Sequence, residues 1–387
     1  MRALLLVIDH LAVGNTAEGA GTPVSGSLGQ LFHNAPDLEL PTLFSLGLGE
    51  IIKGRVFDPP AQHCAASYGR MIQRSAGADA LSGLWELAGV IPTCPFIAAQ
   101  QARQEITAAL ASSGTEFLLN PTGDAPLLNE PGALDALRKE HLRTGSPILT
   151  FSADSTLHIA AHESTLPPTR LARLCRLARE QCDAWRIARV TGQLLAGKPG
   201  AWKPACEALT FSMVPPRTIL NAISDKGLPV VAVGTVNEAF ARSGITRAYP
   251  SASFAESLRT VERLWNSPQN GIICVDSGNL ANAGMAEFAR AQESFDAWLA
   301  GFLEQIESDD LLIITGSNGS DPAMLAPDSP RQEVPVLVRY GGRNAPLGVR
   351  ETFADVAATL GAFFGIDERP LMGEPLITFH RPRGFGP

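Results

Sequence analysis

The stretch LLIITGSN, residues 311–318, contains the strand and the loop from which the fold of this chain can be inferred. Its first four residues form a short apolar run rich in branched side chains, which predicts a buried strand. The glycine that follows marks a loop carrying Ser317 and Asn318. Open α/β sheets place their chemistry in loops at the carboxyl ends of parallel strands. The loop therefore lies where catalysis is expected, although serine and asparagine are poor metal ligands.

Strand and helix patterns alternate on both sides of this stretch. We expect strands at 3–9, 229–234, 271–275, 311–315 and 334–340, and helices at 217–227, 252–266, 284–307 and 351–364. Such alternation predicts a mostly parallel sheet covered by helices on both faces. The pattern changes at about residue 95, where helices are expected at 97–112, 133–143 and 169–182, with a strand and loop at 147–155 between the last two. We therefore predict a core built from residues 1–94 and 215–387, with an inserted α/β cap domain at 95–214 and a Pro/Gly-rich return linker at 192–216.

Composition limits the kind of protein and its partners. The chain has 387 residues, 45% of them hydrophobic, and a formal net charge of −8, which describes a globular protein rather than a disordered one. An acidic chain is a poor partner for nucleic acid or an anionic membrane. The first residues, MRALLLVIDH, are too short an apolar run for a signal sequence. Six cysteines without a CxxC pair are typical of reduced thiols, so we predict a cytoplasmic protein with no membrane span.

Eight short strings occur along the chain in a recognisable order. They are LGLGEI (46–51), SAGADALSGLWELAG (75–89), SSGTEF (112–117), EHLRTGSPI (140–148), SADSTLHIAAHE (152–163), IAR (187–189), PVLV (335–338) and TFADVAATL (352–360). Together they resemble the bacterial phosphopentomutase family of the alkaline phosphatase superfamily. The resemblance implies an alkaline-phosphatase-like α/β core with an inserted cap. It also implies transfer of phosphate between the 1- and 5-positions of ribose or deoxyribose, by a phosphorylated threonine beside two Mn²⁺ ions held by Asp and His.

The chain departs from the family pattern at the residues that carry this chemistry. Where the family reads K-D-T followed by T-G-H-W-E, this chain reads A-D-A at 78–80 and S-G-L-W-E at 82–86, so the nucleophile position is Ala80. The consecutive Asp and His ligands fall on Ser317 and Asn318. No histidine lies between His162 and His380, although the family needs three in that half. We therefore expect no catalytic nucleophile and no manganese cofactor.

Other candidate site residues come from the resemblance and from their spacing. The resemblance places Ser152 and Asp154 near sugar hydroxyls, and Arg189 near a phosphate, which a guanidinium binds in bidentate fashion. His158 and His162 are predicted on one face of a helix, where they either bind zinc or serve packing and capping.

Two residues near the family's catalytic positions have alternative readings. Asp9 stands at a metal-carboxylate position and either retains one cation as a vestigial ligand or caps a loop. Ser82 is either a replacement nucleophile or a local hydrogen-bonding residue.

Three hypotheses about function follow from these residues. The first is a catalytically inactive phosphopentomutase-like pseudoenzyme that acts as a binding or regulatory protein, with a sugar phosphate and a protein as candidate partners. The alternative is a metal-independent enzyme that acts on a pentose phosphate or a related sugar phosphate, with cap residues such as Asp154 and His162. A third is a sensor of pentose phosphates. An enzyme requires a pocket lined with titratable groups, whereas a binding protein can present other surfaces.

Overall fold

The computed structural model describes residues 1–8, 11–15, 27–53, 63–112, 114–120, 133–152, 155–198, 201–267, 270–278, 284–318, 332–366 and 372–379. The chain divides into two compact units. The first unit combines Met1–Cys94 with Pro215–Pro387, and the second unit is Pro95–Val214.

The secondary structure alternates between strands and helices over most of this length. The strands are β1 (Arg2–Val7), β2 (Gly14–Asn15), β3 (Ser67–Ile72), β4 (Leu118–Leu119), β5 (Ile148–Phe151), β6 (Thr156–His162), β7 (Arg189–Ala196), β8 (Lys203–Pro204), β9 (Leu209–Ser212), β10 (Val230–Val233), β11 (Arg247–Tyr249), β12 (Gly271–Asp276), β13 (Leu311–Thr315), β14 (Gln332–Arg339) and β15 (Pro346–Arg350). The helices are α1 (Ser27–Asn34), α2 (Pro41–Ser45), α3 (Leu48–Ile52), α4 (Ala80–Leu87), α5 (Arg103–Ala111), α6 (Ala133–Thr144), α7 (Pro168–Asp183), α8 (Ile219–Asp225), α9 (Val236–Ala239), α10 (Phe254–Trp265), α11 (Met285–Leu303) and α12 (Asp355–Phe364), with a 3₁₀ turn at Ala99–Ala102 before α5.

The sheet of the first unit is mostly parallel, as the alternating pattern predicts. Its strand order is β11-β10-β12-β1-β13-β14-β3-β15, with β2 beside β14. β14 runs antiparallel to its neighbours, whereas the five pairings that do not involve it are parallel. β1, β12 and β13 are buried on both faces, which explains their continuous apolar sequences. The prediction of a mostly parallel sheet flanked by helices is confirmed.

Helices cover both faces of this sheet. On one face Leu4 and Leu6 of β1 belong to an apolar cluster that also contains side chains of α1, α2, α3, α10 and α11. On the other face Leu5 and Val7 line a small apolar cavity together with side chains of α4, α8, α9 and α12. Side chains of a strand alternate between the two faces, so successive residues of β1 support two separate layers of helices.

The second unit has its own sheet and its own core. Its strand order is β4-β5-β6-β7-β8, with β9 beside β7. Residues of the 3₁₀ turn, α5 and α7 pack against β5, β6 and β7 in one apolar cluster. The prediction of a return linker at 192–216 is wrong for its first part, because β7, β8 and β9 occupy much of that segment.

Candidate functional site

The focal loop at residues 316–318 lies at the carboxyl edge of the central strands. Val7 is paired with Asp276 on one side and with Thr315 on the other, so β1, β12 and β13 end at the same level. The chain continues the pairing for one step, because the Ile8 amide donates to the Thr315 carbonyl at 2.8 Å and the Ser277 amide donates to the Val7 carbonyl at 3.0 Å. Asp9 and His10 follow directly but lie outside the described residues.

The amino end of α4 carries the nucleophile position of the family. Ala80 is the first residue of α4, and Asp79 is its N-cap. The Asp79 carboxylate accepts hydrogen bonds from the Ser82 amide at 2.9 Å and from the Ser82 hydroxyl at 2.6 Å. Ser82 is fully buried. Its hydroxyl therefore forms a local hydrogen bond with the N-cap residue Asp79, which is the second of the two roles considered from the sequence.

The focal loop packs directly against α4. A methyl group built on the Cα atom of Gly83 would lie 1.5 Å from the carbonyl oxygen of Ser317. Only a residue without a side chain permits this approach of the two backbones. Gly83 lies within one helical turn of Ala80, so the nucleophile position and the ligand positions of the family adjoin each other. These positions carry a methyl group in Ala80, a hydroxyl in Ser317 and an amide in Asn318.

Glu86 fixes the position of α4, and the sequence analysis did not single it out. Its buried carboxylate accepts hydrogen bonds from the Arg74 amide at 2.9 and 3.0 Å, from the Ser75 amide at 2.7 Å and from the Ser75 hydroxyl. It also accepts from the Thr352 hydroxyl at 2.7 Å and the Phe353 amide at 2.9 Å. One carboxylate thus ties α4 to the segment after β3 and to the segment before α12. Such a well-satisfied buried charge makes the site rigid.

The described residues at this edge do not form a ligand set that fits a two-manganese centre. Within the described ranges, no group of three or more His, Cys, Asp or Glu side chains is arranged to hold a metal. Asp276, the carboxylate at the end of β12, accepts from the Thr235 hydroxyl at 2.5 Å and from the Gly278 amide at 3.3 Å. Manganese favours carboxylate and imidazole ligands, which Ser317 and Asn318 do not provide. Asp9, like Asp321 and Asp328 farther along the chain, lies outside the described part.

The predicted sugar-binding residues of the second unit have the following positions. The Ser152 hydroxyl donates to the Thr156 carbonyl at 2.7 Å and accepts from its amide at 3.2 Å, which braces the turn between β5 and β6. Arg189, the first residue of β7, is exposed. Asp154 lies outside the described residues.

The prediction that His158 and His162 lie on a helix is wrong, because both belong to strand β6. Their string T-L-H-I-A-A-H pairs with β5 and with β7, and these nonlocal partners override the local spacing. Four residues span about 13 Å in a strand, too far for two ligands of one zinc ion. His158 Nδ1 lies 2.7 Å from the Thr191 hydroxyl.

His162 instead belongs to a packed cluster with His141 and Trp202. His162 Nε2 lies 2.9 Å from the Gly197 carbonyl, which requires a proton on that nitrogen, and Nδ1 accepts from the Ser164 amide at 3.2 Å. His141 Nε2 accepts from the His162 amide at 2.8 Å, so His141 carries its proton on Nδ1. Burial, and to a lesser extent the neighbouring His162, lower the pKa of His141, against the opposing effect of its hydrogen bond to the backbone of Ser146. This geometry is that of a structural cluster in which both histidines are held by hydrogen bonds.

No helix in the described ranges combines the length and the apolar character needed to cross a membrane.

Comparisons with known proteins find relatives that match most of this chain. The model of the Metalloenzyme superfamily matches residues 235–368. The phosphopentomutase of Anaeromyxobacter dehalogenans strain 2CP-1 is 34% identical over 384 residues, which cover 94% of this chain and 96% of that protein. The phosphopentomutase of Acetivibrio thermocellus is 34% identical over 394 residues, which cover 97% and 98%. Among solved structures, the PH0037 protein from Pyrococcus horikoshii superposes with a TM-score of 0.48 at 12% identity, over 95% of this chain and 98% of that chain.

Proposed function

This chain belongs to the phosphopentomutase family, and we propose that it is a member without mutase activity that acts as a binding or regulatory protein. One observation supports the proposal. The amino end of α4 begins with Ala80 and packs through Gly83 against Ser317, so the position that the resemblance assigns to the nucleophile and one that it assigns to a metal ligand lie close together and carry a methyl group and a hydroxyl.

The chemistry of phosphoryl transfer explains why these replacements matter. The mutase reaction that the resemblance implies needs a side-chain oxygen that accepts the phosphoryl group, and the methyl group of Ala80 has none. It also needs positive charge to stabilise the transferring group, which metal ions supply when carboxylates and imidazoles hold them. The hydroxyl of Ser82 is a poor substitute nucleophile, because it is buried and already donates to Asp79. These features support loss of the family reaction with retention of its scaffold.

A sugar phosphate and a protein are the candidate partners of such a scaffold. The exposed guanidinium of Arg189 is available for a phosphate, the contact that the family resemblance implies for it. The alternative function, a metal-independent enzyme acting on a pentose phosphate, would use Asp154 and His162. Both ring nitrogens of His162 already have hydrogen-bond partners in the second unit, which favours the binding role over proton transfer.

A ³¹P NMR assay of ribose 1-phosphate conversion to ribose 5-phosphate tests the proposal. The full chain is incubated once with Mn²⁺ and once with EDTA, and the phosphopentomutase of Anaeromyxobacter dehalogenans is the positive control. We expect no conversion above the protein-free rate in either sample. Conversion only with Mn²⁺ would overturn the proposal, and conversion in EDTA would establish the metal-independent alternative.

A further inference from the structure

A second polar region of the first unit lies where the direction of the sheet connections reverses. β10 and β12 are adjacent parallel strands. From β10 the chain passes through α9 on one face to β11, whereas from β12 it passes through α11 on the opposite face to β13. The connections therefore leave these two neighbouring strands in opposite directions and on opposite faces. Open α/β sheets bind ligands in the crevice at such a switch point.

A cleft of about 880 Å³ occupies this position. Its floor consists of Gly234 and Thr235 after β10 and of residues 276–278 after β12, and its walls are the facing sides of α10 and α11. The volume is within the range of small-molecule sites, which span about 300–1,000 Å³. All lining residues belong to the first unit. The cleft is large enough for a ligand the size of a nucleotide.

One part of the cleft is suited to an anion. Arg259 of α10 and Arg290 of α11 are exposed lining residues, and neither forms an ion pair within the described part of the chain. The first turn of α10 also lines the cleft, and its two leading amides, those of Phe254 and Ala255, have no intrahelical carbonyl to bind. Guanidinium groups and a helix amino end together favour a phosphate.

The acidic side chains at the cleft favour a ligand that also carries hydroxyl groups. Asp276 and Glu287 line the cleft beside the two arginines. The Asp276 carboxylate already accepts from the Thr235 hydroxyl, so it is held in place by the floor of the cleft. A carboxylate fixed in this way repels a polyanion but accepts hydrogen bonds from a sugar. A singly phosphorylated ligand therefore fits better than a di- or triphosphate.

An aromatic group is available in the same cleft. Trp298 is a lining residue whose ring stacks on Phe302 at 4.6 Å between centroids. Its Nε1 atom is buried and has no hydrogen-bond partner among the described residues. Phe295 and Leu258 add apolar lining next to it. A planar heterocycle would pack against this apolar and aromatic surface.

We propose that this cleft binds a nucleoside monophosphate, with its phosphate near Arg259 and Arg290 and its base beside Trp298. The three kinds of lining match the three parts of such a ligand, namely phosphate, ribose and base. The proposal gives the binding role a ligand class. It rests on the proposed function, because the cleft shares Asp276 with the edge of the sheet described as the candidate site.

Isothermal titration with AMP, adenosine and ribose 5-phosphate as probes tests this proposal on the full chain. We expect one AMP per chain, with adenosine and ribose 5-phosphate each bound at least about tenfold more weakly because each lacks one of the matched parts. The variant Arg290→Ala should weaken AMP binding at least about tenfold. The matched control Arg263→Ala removes an exposed arginine of α10 that does not line the cleft, and should leave AMP binding within about twofold.

Specific results would overturn the proposal. They are absence of AMP binding, equal loss of binding in Arg290→Ala and Arg263→Ala, or ribose 5-phosphate binding as tight as AMP and equally sensitive to Arg290→Ala. Arg259→Ala repeats the test on the other wall, and thermal unfolding verifies that each variant is folded. The ³¹P NMR assay reports turnover separately, so failure of this proposal and failure of the proposed function give different results.

Discussion

The contact between Gly83 and Ser317 is the structural basis for placing the two degenerate halves of the family site together. The substitution Gly83→Ala tests it directly. The added methyl group would lie 1.5 Å from the Ser317 carbonyl oxygen and 2.7 Å from its carbonyl carbon. Both are backbone atoms, so the clash cannot be relieved by a side-chain rotation. The helix and the loop must separate by about 2 Å to restore ordinary van der Waals contact.

The expected cost follows from two opposing terms. Replacing glycine by alanine inside a helix stabilises it by about 1 kcal/mol. Overpacking typically costs about 1–3 kcal/mol and occasionally more, and a contact between backbones belongs at the upper end of that range. Separation of α4 from the loop would also strain the hydrogen bonds of Glu86. We therefore expect a net loss of about 2 kcal/mol. With an unfolding entropy of about 2.1 cal/mol/K per residue, this lowers the melting temperature of a chain of 387 residues by about 2–4 °C.

Thermal unfolding followed by circular dichroism measures this effect, with Gly301→Ala as the matched control. Gly301 lies inside α11, and a methyl group built on it meets no atom within 4 Å. That variant receives the helix stabilisation without the clash, so its melting temperature should rise by about 1–2 °C. Equal melting temperatures for the two variants would show that Ser317 does not pack against α4. The inference that Ala80 and Asn318 adjoin each other would then be wrong.

Three other side-chain environments predict measurable outcomes. Ser82→Ala removes a hydrogen bond to the Asp79 carboxylate and should cost about 1.5–3 kcal/mol in thermal unfolding, while leaving any phosphate turnover unchanged. The pKa of His141 is lowered below its ordinary value of 6.5, so near that pH the unfolded chain binds a proton that the folded chain does not. The free energy of unfolding should therefore fall as the pH decreases below 6.5, and thermal unfolding at successive pH values measures this. Cys94 and Cys206 are exposed and should react with Ellman's reagent in the native protein. Burial raises the pKa of three other thiols, those of Cys175, Cys182 and Cys274, to about 12, so these should react only after unfolding.

A specific result would contradict each of these three predictions. A drop in turnover with unchanged stability in Ser82→Ala would make Ser82 a nucleophile. Stability that is flat between pH 7 and pH 5, or an equal slope in His141→Gln, would show that this imidazole is not held neutral. Rapid labelling of more than three cysteines in the native protein would contradict the burial of Cys175, Cys182 and Cys274, since Cys64 is half-buried and accounts for a third.

The mostly parallel sheet was predictable because its central strands are buried on both faces. Strands such as β1, β12 and β13 are continuous apolar runs, and the runs are separated by helical patterns with a period of 3.6. The parallel pairing of these strands follows from the alternation of strands and helices along the chain. The sequence thus indicates both the sheet and the edge at which the loop at 316–318 lies.

Elements that depend on distant partners were not predictable. β3, with the sequence S-Y-G-R-M-I, alternates buried and half-buried residues and is fixed by pairing with β14, more than 250 residues away. β6 lies between β5 and β7, so its two histidines, four positions apart, follow a strand rather than a helix. Local spacing contains no information about these neighbours.

The candidate site, too, was only partly predictable from the sequence. The residue at the nucleophile position and the residues at the ligand positions could be named from the family resemblance, because short collinear strings define them. The hydrogen bonds of Glu86 could not, since its partners lie 11 to 267 residues away. The cleft at β10 and β12 also depends on which face each connecting helix covers, and hydrophobic periodicity alone does not specify that face.

Metal content measures the central claim most directly. The purified chain is incubated with Mn²⁺, freed of unbound metal and analysed by elemental mass spectrometry, and the same sample is assayed for ribose 1-phosphate conversion. The donor set around Ala80, Ser317 and Asn318 predicts no stoichiometric manganese and no conversion. Two manganese ions per chain together with turnover would contradict the account, and would show that the metal ligands and the nucleophile are other residues than those assigned here.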